Sequence, residues 1–99
     1  MKVDVPGQGK VIGFYGAELQ QMVACEELAE LIRAISKMRR AAASGGEDWE
    51  AYGNLVEELA DVLIVLDQIQ AIYQIPDHEI QYVVFKKCAR QEERIRDSV

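Results

Sequence analysis

Residues 54–75 read N-L-V-E-E-L-A-D-V-L-I-V-L-D-Q-I-Q-A-I-Y-Q-I, the longest apolar-rich run of the chain. It holds no Gly or Pro and is far longer than a strand, so its period is helical. At about 100° per residue, Leu55, Leu59, Val62, Leu63, Leu66, Ile69 and Tyr73 crowd one broad side. Val65 and Ile72 widen that side beyond an ordinary amphipathic stripe. A helix apolar over most of its circumference must be covered from several directions. The reading is therefore all-α, with this segment as the central helix.

Two acids interrupt the apolar surface. Glu58 projects between Val65 and Ile69, and Asp61 lies close to Ile72. Three residues apart, they leave the same face on adjacent turns. Glu57 and Asp67 point elsewhere, as solvated acids do. A carboxylate on a packing face is costly unless a metal ion or a basic side chain replaces its lost water. For a single acidic pair, the simpler reading is a face that meets solvent at an open cleft.

The preceding helix repeats the anomaly. It is expected from near Gly16 to about Ala43, with Val23, Ala24, Leu28, Leu31, Ile32, Ile35 and Met38 at helical spacing. Glu27 falls within that apolar arc and Glu30 at its margin, whereas Glu26 and Arg33 fall on the polar side. Ser44-Gly45-Gly46-Glu47-Asp48 breaks the helix, and Asp48 is a suitable N-cap for the next. Trp49 and Tyr52 follow it, either as a clamp for a base or, more simply, as the lid of the core. Pro76 closes the central helix after Ile75, and Asp77 is expected to cap a last helix from about His78 to Arg96. Val83, Val84, Cys88 and Ile95 form its thin apolar seam. Lys86, Arg90 and Arg94 recur every four residues with Lys87 beside them, the pattern of a solvated basic face. His78 reads as an exposed residue at the helix start.

Residues 1–13, punctuated by Pro6, Gly7, Gly9 and Gly13, read as an irregular lead-in, and residues 14–99 as one all-α domain. Gly7-Gln8-Gly9-Lys10 matches neither phosphate-loop fingerprint. No run is long and uncharged enough to span a membrane, and the first ten residues lack the apolar core of a secretory signal. A net charge of −6 over 99 residues argues against nucleic acid as the main partner. Cys25 and Cys88 lack metal-binding spacing and fit reduced thiols in a cytoplasmic protein, with a disulfide between them as the alternative.

Four carboxylates thus stand as Glu27-x-x-Glu30 and Glu58-x-x-Asp61 on successive helices. If those helices pack antiparallel, both pairs converge on one patch, where their mutual repulsion calls for a hard divalent cation. Mg²⁺ suits such oxygen ligands and keeps waters for substrate phosphates.

The pattern Glu26-Glu27-x-x-Glu30 followed by Glu58-x-x-Asp61 resembles the signature of the MazG-like all-α nucleoside triphosphate pyrophosphohydrolases. The resemblance runs from about Tyr15 to Ile95. Tyr15-Gly16 with Gln20 and Gln21 resembles a small MazG-like subgroup. Lys87-x-x-Arg90-Gln91-x-x-Arg94 is similar to a basic motif of the family, which often has Asn where this chain has Gln91. The resemblance implies hydrolysis of an NTP or dNTP to the monophosphate and pyrophosphate. It implies Mg²⁺, with Mn²⁺ as an alternative, held by Glu27, Glu30, Glu58 and Asp61. Glu26 and Glu27 are its expected catalytic acids, Glu26 orienting a ligand or the attacking water. Lys87, Arg90 and Arg94 are the expected phosphate contacts, with Lys37 as a helper. It also implies a homodimer or a homotetramer of paired dimers. Pairing would complete a four-helix-bundle-like core of antiparallel helices, which one short chain cannot easily close around its central helix. A non-enzymatic helical interaction module on the same scaffold, and a hydrolase acting on phosphoribosyl-ATP, are the competing expectations.

Overall fold

A computed structural model describes residues 2–98 and is helical throughout its ordered elements, with no strand among them. The helices are α1 (Gln8–Tyr15), α2 (Ala17–Ala43), α3 (Trp49–Ile72) and α4 (Asp77–Asp97). Met1 lies outside the described residues.

α2 and α3 are the packed pair, and their ends follow capping chemistry. Ser44 closes α2, and Gly45 follows in the left-handed region at φ 77°, donating its N–H to the Ala42 carbonyl at 3.1 Å. Asp48 caps α3 as expected, its Oδ1 accepting from the Ala51 N–H at 2.9 Å. Gln20 of α2 bonds Gln68 of α3, while Glu27 of α2 sits beside Asp61 of α3. These pairs step in opposite directions along the two helices, so α2 and α3 run antiparallel as a hairpin. The residues buried between them are small: Ala24 and Ala34 on α2, and Ala51, Val62 and Val65 on α3. Small side chains let the two backbones approach closely, but they make a thin core.

Three expectations are corrected. The lead-in is not irregular to its end, because Gln8 begins a helix that runs through the assumed boundary between residues 13 and 14 to Tyr15. Local propensity is poor there, with Gly9 and Gly13 inside the helix. A tertiary contact overrides it: Gln68 donates from Nε2 to Gln8 Oε1 at 2.5 Å, and Gln20 donates to Gln68 Oε1 at 2.9 Å. This chain of three amides ties α1 to the hairpin, and it satisfies Gln20 and Gln68, the buried polar residues. Gly16, at φ 91° and ψ 148°, turns the chain from α1 into α2 in a region open almost only to glycine.

The second correction concerns the end of α3. It stops at Ile72 rather than Ile75, because Gln74 adopts a left-handed conformation at φ 54° and the Ile75 N–H bonds back to the Gln70 carbonyl. Asp77 is not the cap of α4. Pro76 holds that position, and Asp77 Oδ1 instead accepts from Gln70 Nε2 at 2.6 Å.

The third correction concerns which face of α3 is core. Leu59, Leu66 and Tyr73, expected on the packed side, are exposed at 37–60%. The side that meets α2 carries Ala51, Val62 and Val65, with Glu58 and Asp61 half-buried among them. On the uncovered side, Val56, Leu59, Leu63 and Ile64 meet Val3 and Val5 in an open apolar hollow of ≈ 600 Å³.

α4 packs against none of the other three helices. Its link to the hairpin is the first turn, through Gln70 and Asp77 and through Ile80, which shares a hollow with Leu63, Leu66 and Ile69. The radius of gyration is 16.9 Å, against about 13 Å for a compact chain of this length. One chain therefore does not close a four-helix bundle.

Candidate active site

The antiparallel register of the hairpin brings the two acidic motifs to one level. Glu27 of α2 and Glu58 and Asp61 of α3 each offer a carboxylate oxygen, and these three oxygens lie within 4.8 Å of one another. All three residues are half-buried. Oε2 of Glu58 is buried and has no hydrogen-bond partner.

That arrangement is electrostatically unfavourable by itself. The Glu58 carboxyl is pushed above its ordinary value, first by loss of water and then by the charges of Asp61, Glu30 and Glu57, with Arg33 pulling the other way. Glu27 is raised in the same sense, by loss of water and then by Asp61 and Glu58. An orphaned buried oxygen among three converging carboxylates fits a hard divalent cation, whose preferred ligands are oxygens. The group consists of carboxylates alone, a donor set suited to hard rather than soft metals.

The other expected site residues are placed differently. Glu30 is exposed and stands outside the trio, in an ion pair with the guanidinium of Arg33. Glu26 is exposed on α2, one residue before Glu27. Lys37 lines an open polar hollow of ≈ 630 Å³ together with Glu30, Arg33, Arg40 and Asn54. Lys87, Arg90 and Arg94 are exposed on α4, away from any packed helix, so a single chain does not bring them to the acids. His78 is exposed at the start of α4, as expected.

Trp49 and Tyr52 do not cover the core. They are 70% and 52% exposed and meet edge-to-face, with ring centroids 6.0 Å apart. Their hollow is shared with Met38, Ala41, Ala42 and Gly46, and with none of the clustered acids.

The sequence reading named Lys37 on α2 but missed Arg33 and Arg40 beside it. Arg33, Lys37 and Arg40 recur at steps of four and three, and therefore form one row beginning a turn beyond Glu30. The spacing was available in the sequence. Arg33 looked like an ordinary solvated residue because it falls on the polar side of α2, and its pairing with Glu30 is visible only in the structure.

The sequence model of one family, described as the MazG nucleotide pyrophosphohydrolase domain, matches residues 17–95. The match opens with the first residue of α2 and takes in α3 and most of α4, so it covers both acidic motifs and the basic row of α4. Neither the curated proteins nor the solved structures provide a match.

Proposed function

The chain belongs to the MazG nucleotide pyrophosphohydrolase domain family, and from that premise we propose that it is a Mg²⁺-dependent hydrolase of nucleoside triphosphates. It cleaves the anhydride between the α- and β-phosphates of an NTP or dNTP, releasing the monophosphate and pyrophosphate. The observation that carries this reading is the trio Glu27, Glu58 and Asp61, with the unpartnered oxygen of Glu58 in its midst.

Glu27, Glu58 and Asp61 hold Mg²⁺, with Mn²⁺ as a substitute, and Glu30 is the fourth carboxylate within reach on the same helix as Glu27. When bound, the ion neutralises polyphosphate charge and lowers the pKa of a coordinated water. Glu26, exposed one residue before Glu27, orients the water that attacks the anhydride. One phosphorus gains the hydroxyl, the bridging oxygen departs with the other, and the proton released is taken up by a carboxylate or by solvent. Lys37 contacts the phosphates from α2. Lys87, Arg90 and Arg94 join them only after α4 has docked.

The uncovered faces suggest how it docks. Leu59 and Leu66 of α3 and Val83 and Val84 of α4 are apolar and exposed in one chain. A second copy covering them completes the bundle as a homodimer, or a homotetramer of two such pairs, and brings the basic row of α4 to the acids. Among the described residues no helix is long and apolar enough to cross a membrane. Two free, exposed cysteines suit a reducing cytoplasm.

The test is pyrophosphate release from a panel of NTPs and dNTPs, with Mg²⁺ and with a chelator. Mg²⁺-dependent release from at least one common nucleotide is expected. Mg²⁺ binding without cleavage of any would favour a non-enzymatic module on this scaffold.

A further inference from the structure

Among the described residues, the one ion pair links Glu30, next to the acidic site in sequence, with Arg33 of the basic flank. The Glu30 carboxylate pairs with the Arg33 guanidinium and stands outside the trio formed by Glu27, Glu58 and Asp61. Arg33 faces two ways. It lines the hollow that also holds Lys37, Arg40 and Asn54, and its charge acts on Glu58 across the hairpin.

An exposed pair three residues apart on a helix contributes little to stability, about 0–1 kcal/mol. That weakness lets a divalent cation compete for Glu30. Once the carboxylate turns to the cation, the guanidinium loses its partner while still anchored beside the site. A planar fork of N–H donors is then free within a hollow that already carries two more cationic side chains. Arginine binds phosphate oxygens through paired hydrogen bonds, which a lysine cannot reproduce.

Resting on the hydrolase reading above, we propose that Arg33 is an exchange latch. It holds Glu30 until a divalent cation claims that carboxylate, and then joins Lys37 and Arg40 in gripping the pyrophosphate half of the substrate. The cation and the polyphosphate therefore bind cooperatively, because each removes one member of an ion pair that otherwise occupies the other's ligand.

The latch and a plain surface ion pair differ in the sign of one measurement. Calorimetric titration of Mg²⁺ into the full chain compares wild type, Arg33→Ala, Glu30→Gln and the double variant. Arg33→Ala is expected to bind Mg²⁺ up to about fivefold more tightly, the worth of an exposed pair. Removing a positive charge also strengthens cation binding in a general way. That contribution persists in the Glu30→Gln background, whereas the latch contribution vanishes there, so the double-mutant cycle isolates it. A second titration, of inorganic pyrophosphate with Mg²⁺ present, is expected to show Arg33→Ala about tenfold weaker and Arg33→Lys only partly restored. Equal effects of Arg33→Ala with and without Glu30, or unchanged pyrophosphate binding, overturn the latch while leaving the hydrolase reading intact. A wild-type chain that neither binds Mg²⁺ nor cleaves any nucleotide overturns both.

Discussion

The helices α2, α3 and α4 are of comparable length, 27, 24 and 21 residues, yet the first two pack as a hairpin and α4 stands free of them. The hairpin buries alanines and valines and carries its acids into the contact. α4 carries its larger apolar residues and its basic row entirely in the open. The difference separates two jobs. Small residues bring two backbones close enough for the carboxylates of Glu27, Glu58 and Asp61 to meet. Large apolar residues on α4 and on the outer side of α3 stay exposed in the single chain.

The sharpest break of this comparison comes at Glu58. Glu58→Gln keeps the shape but makes a poor ligand for a hard cation, so turnover should fall on the order of 100-fold or more with helicity unchanged. Near-normal turnover in a folded variant would remove the hairpin from the chemistry. A second break lies on α4. Val83→Asp places a charge on a side chain that is 46% exposed, which within one chain should change stability by less than about 0.5 kcal/mol. If α4 docks on a second copy, sedimentation should show wild type as a dimer or larger and the variant as a monomer. Wild type sedimenting as a monomer at every concentration would leave α4 without its role.

How much of this was legible follows the same division. The bounds of α2, the turn at Gly45 and the cap at Asp48 were readable because spacing and capping are local. The convergence of Glu27, Glu58 and Asp61 was readable because acids in an apolar arc are conspicuous, whereas Glu30, expected with them, pairs with Arg33 instead. The face of α3 that meets α2 was misjudged, since the larger side chains Leu59, Leu66 and Tyr73 dominate the periodicity while Ala51 and Val65 do the packing. The helix at Gln8 was hidden because its support is Gln68, sixty residues away in sequence. The freedom of α4 was equally hidden: its pattern states that it has an apolar seam, not whether this chain covers it.

That distant support provides a smaller test. Gln68→Leu leaves the buried Gln20 amide without its acceptor, which should cost about 1–3 kcal/mol in urea unfolding. Gln8→Ala should cost less, because it removes only the partially buried end of the chain of amides. Equal costs would mean that the network acts through α1 rather than through Gln20.

The smallest effect is a pH dependence of the metal-free protein. The folded-state values of Glu27 and Glu58 lie above the ordinary 4.5, so the folded chain holds protons that the unfolded chain has released. Stability therefore falls as pH rises from about the ordinary carboxylate value through the raised ones, and the full cost remains above that window. Glu27→Gln should flatten this slope and melt a few degrees higher than wild type near neutral pH without metal. Added Mg²⁺ should raise the wild-type melting temperature instead, by binding the folded state. A metal-free Glu27→Gln that melts earlier would identify Glu27 as part of a structural ion pair.

The location of the ion is the most direct test. Substoichiometric Mn²⁺ added to isotopically labelled full-length protein broadens the amide signals nearest to where it binds. The carboxylate trio predicts that signals around Glu27 on α2 and around Glu58 and Asp61 on α3 disappear first, with excess Mg²⁺ restoring them. Broadening centred instead on the loop acids Glu47 and Asp48, or on Glu92 and Glu93 of α4, would contradict it.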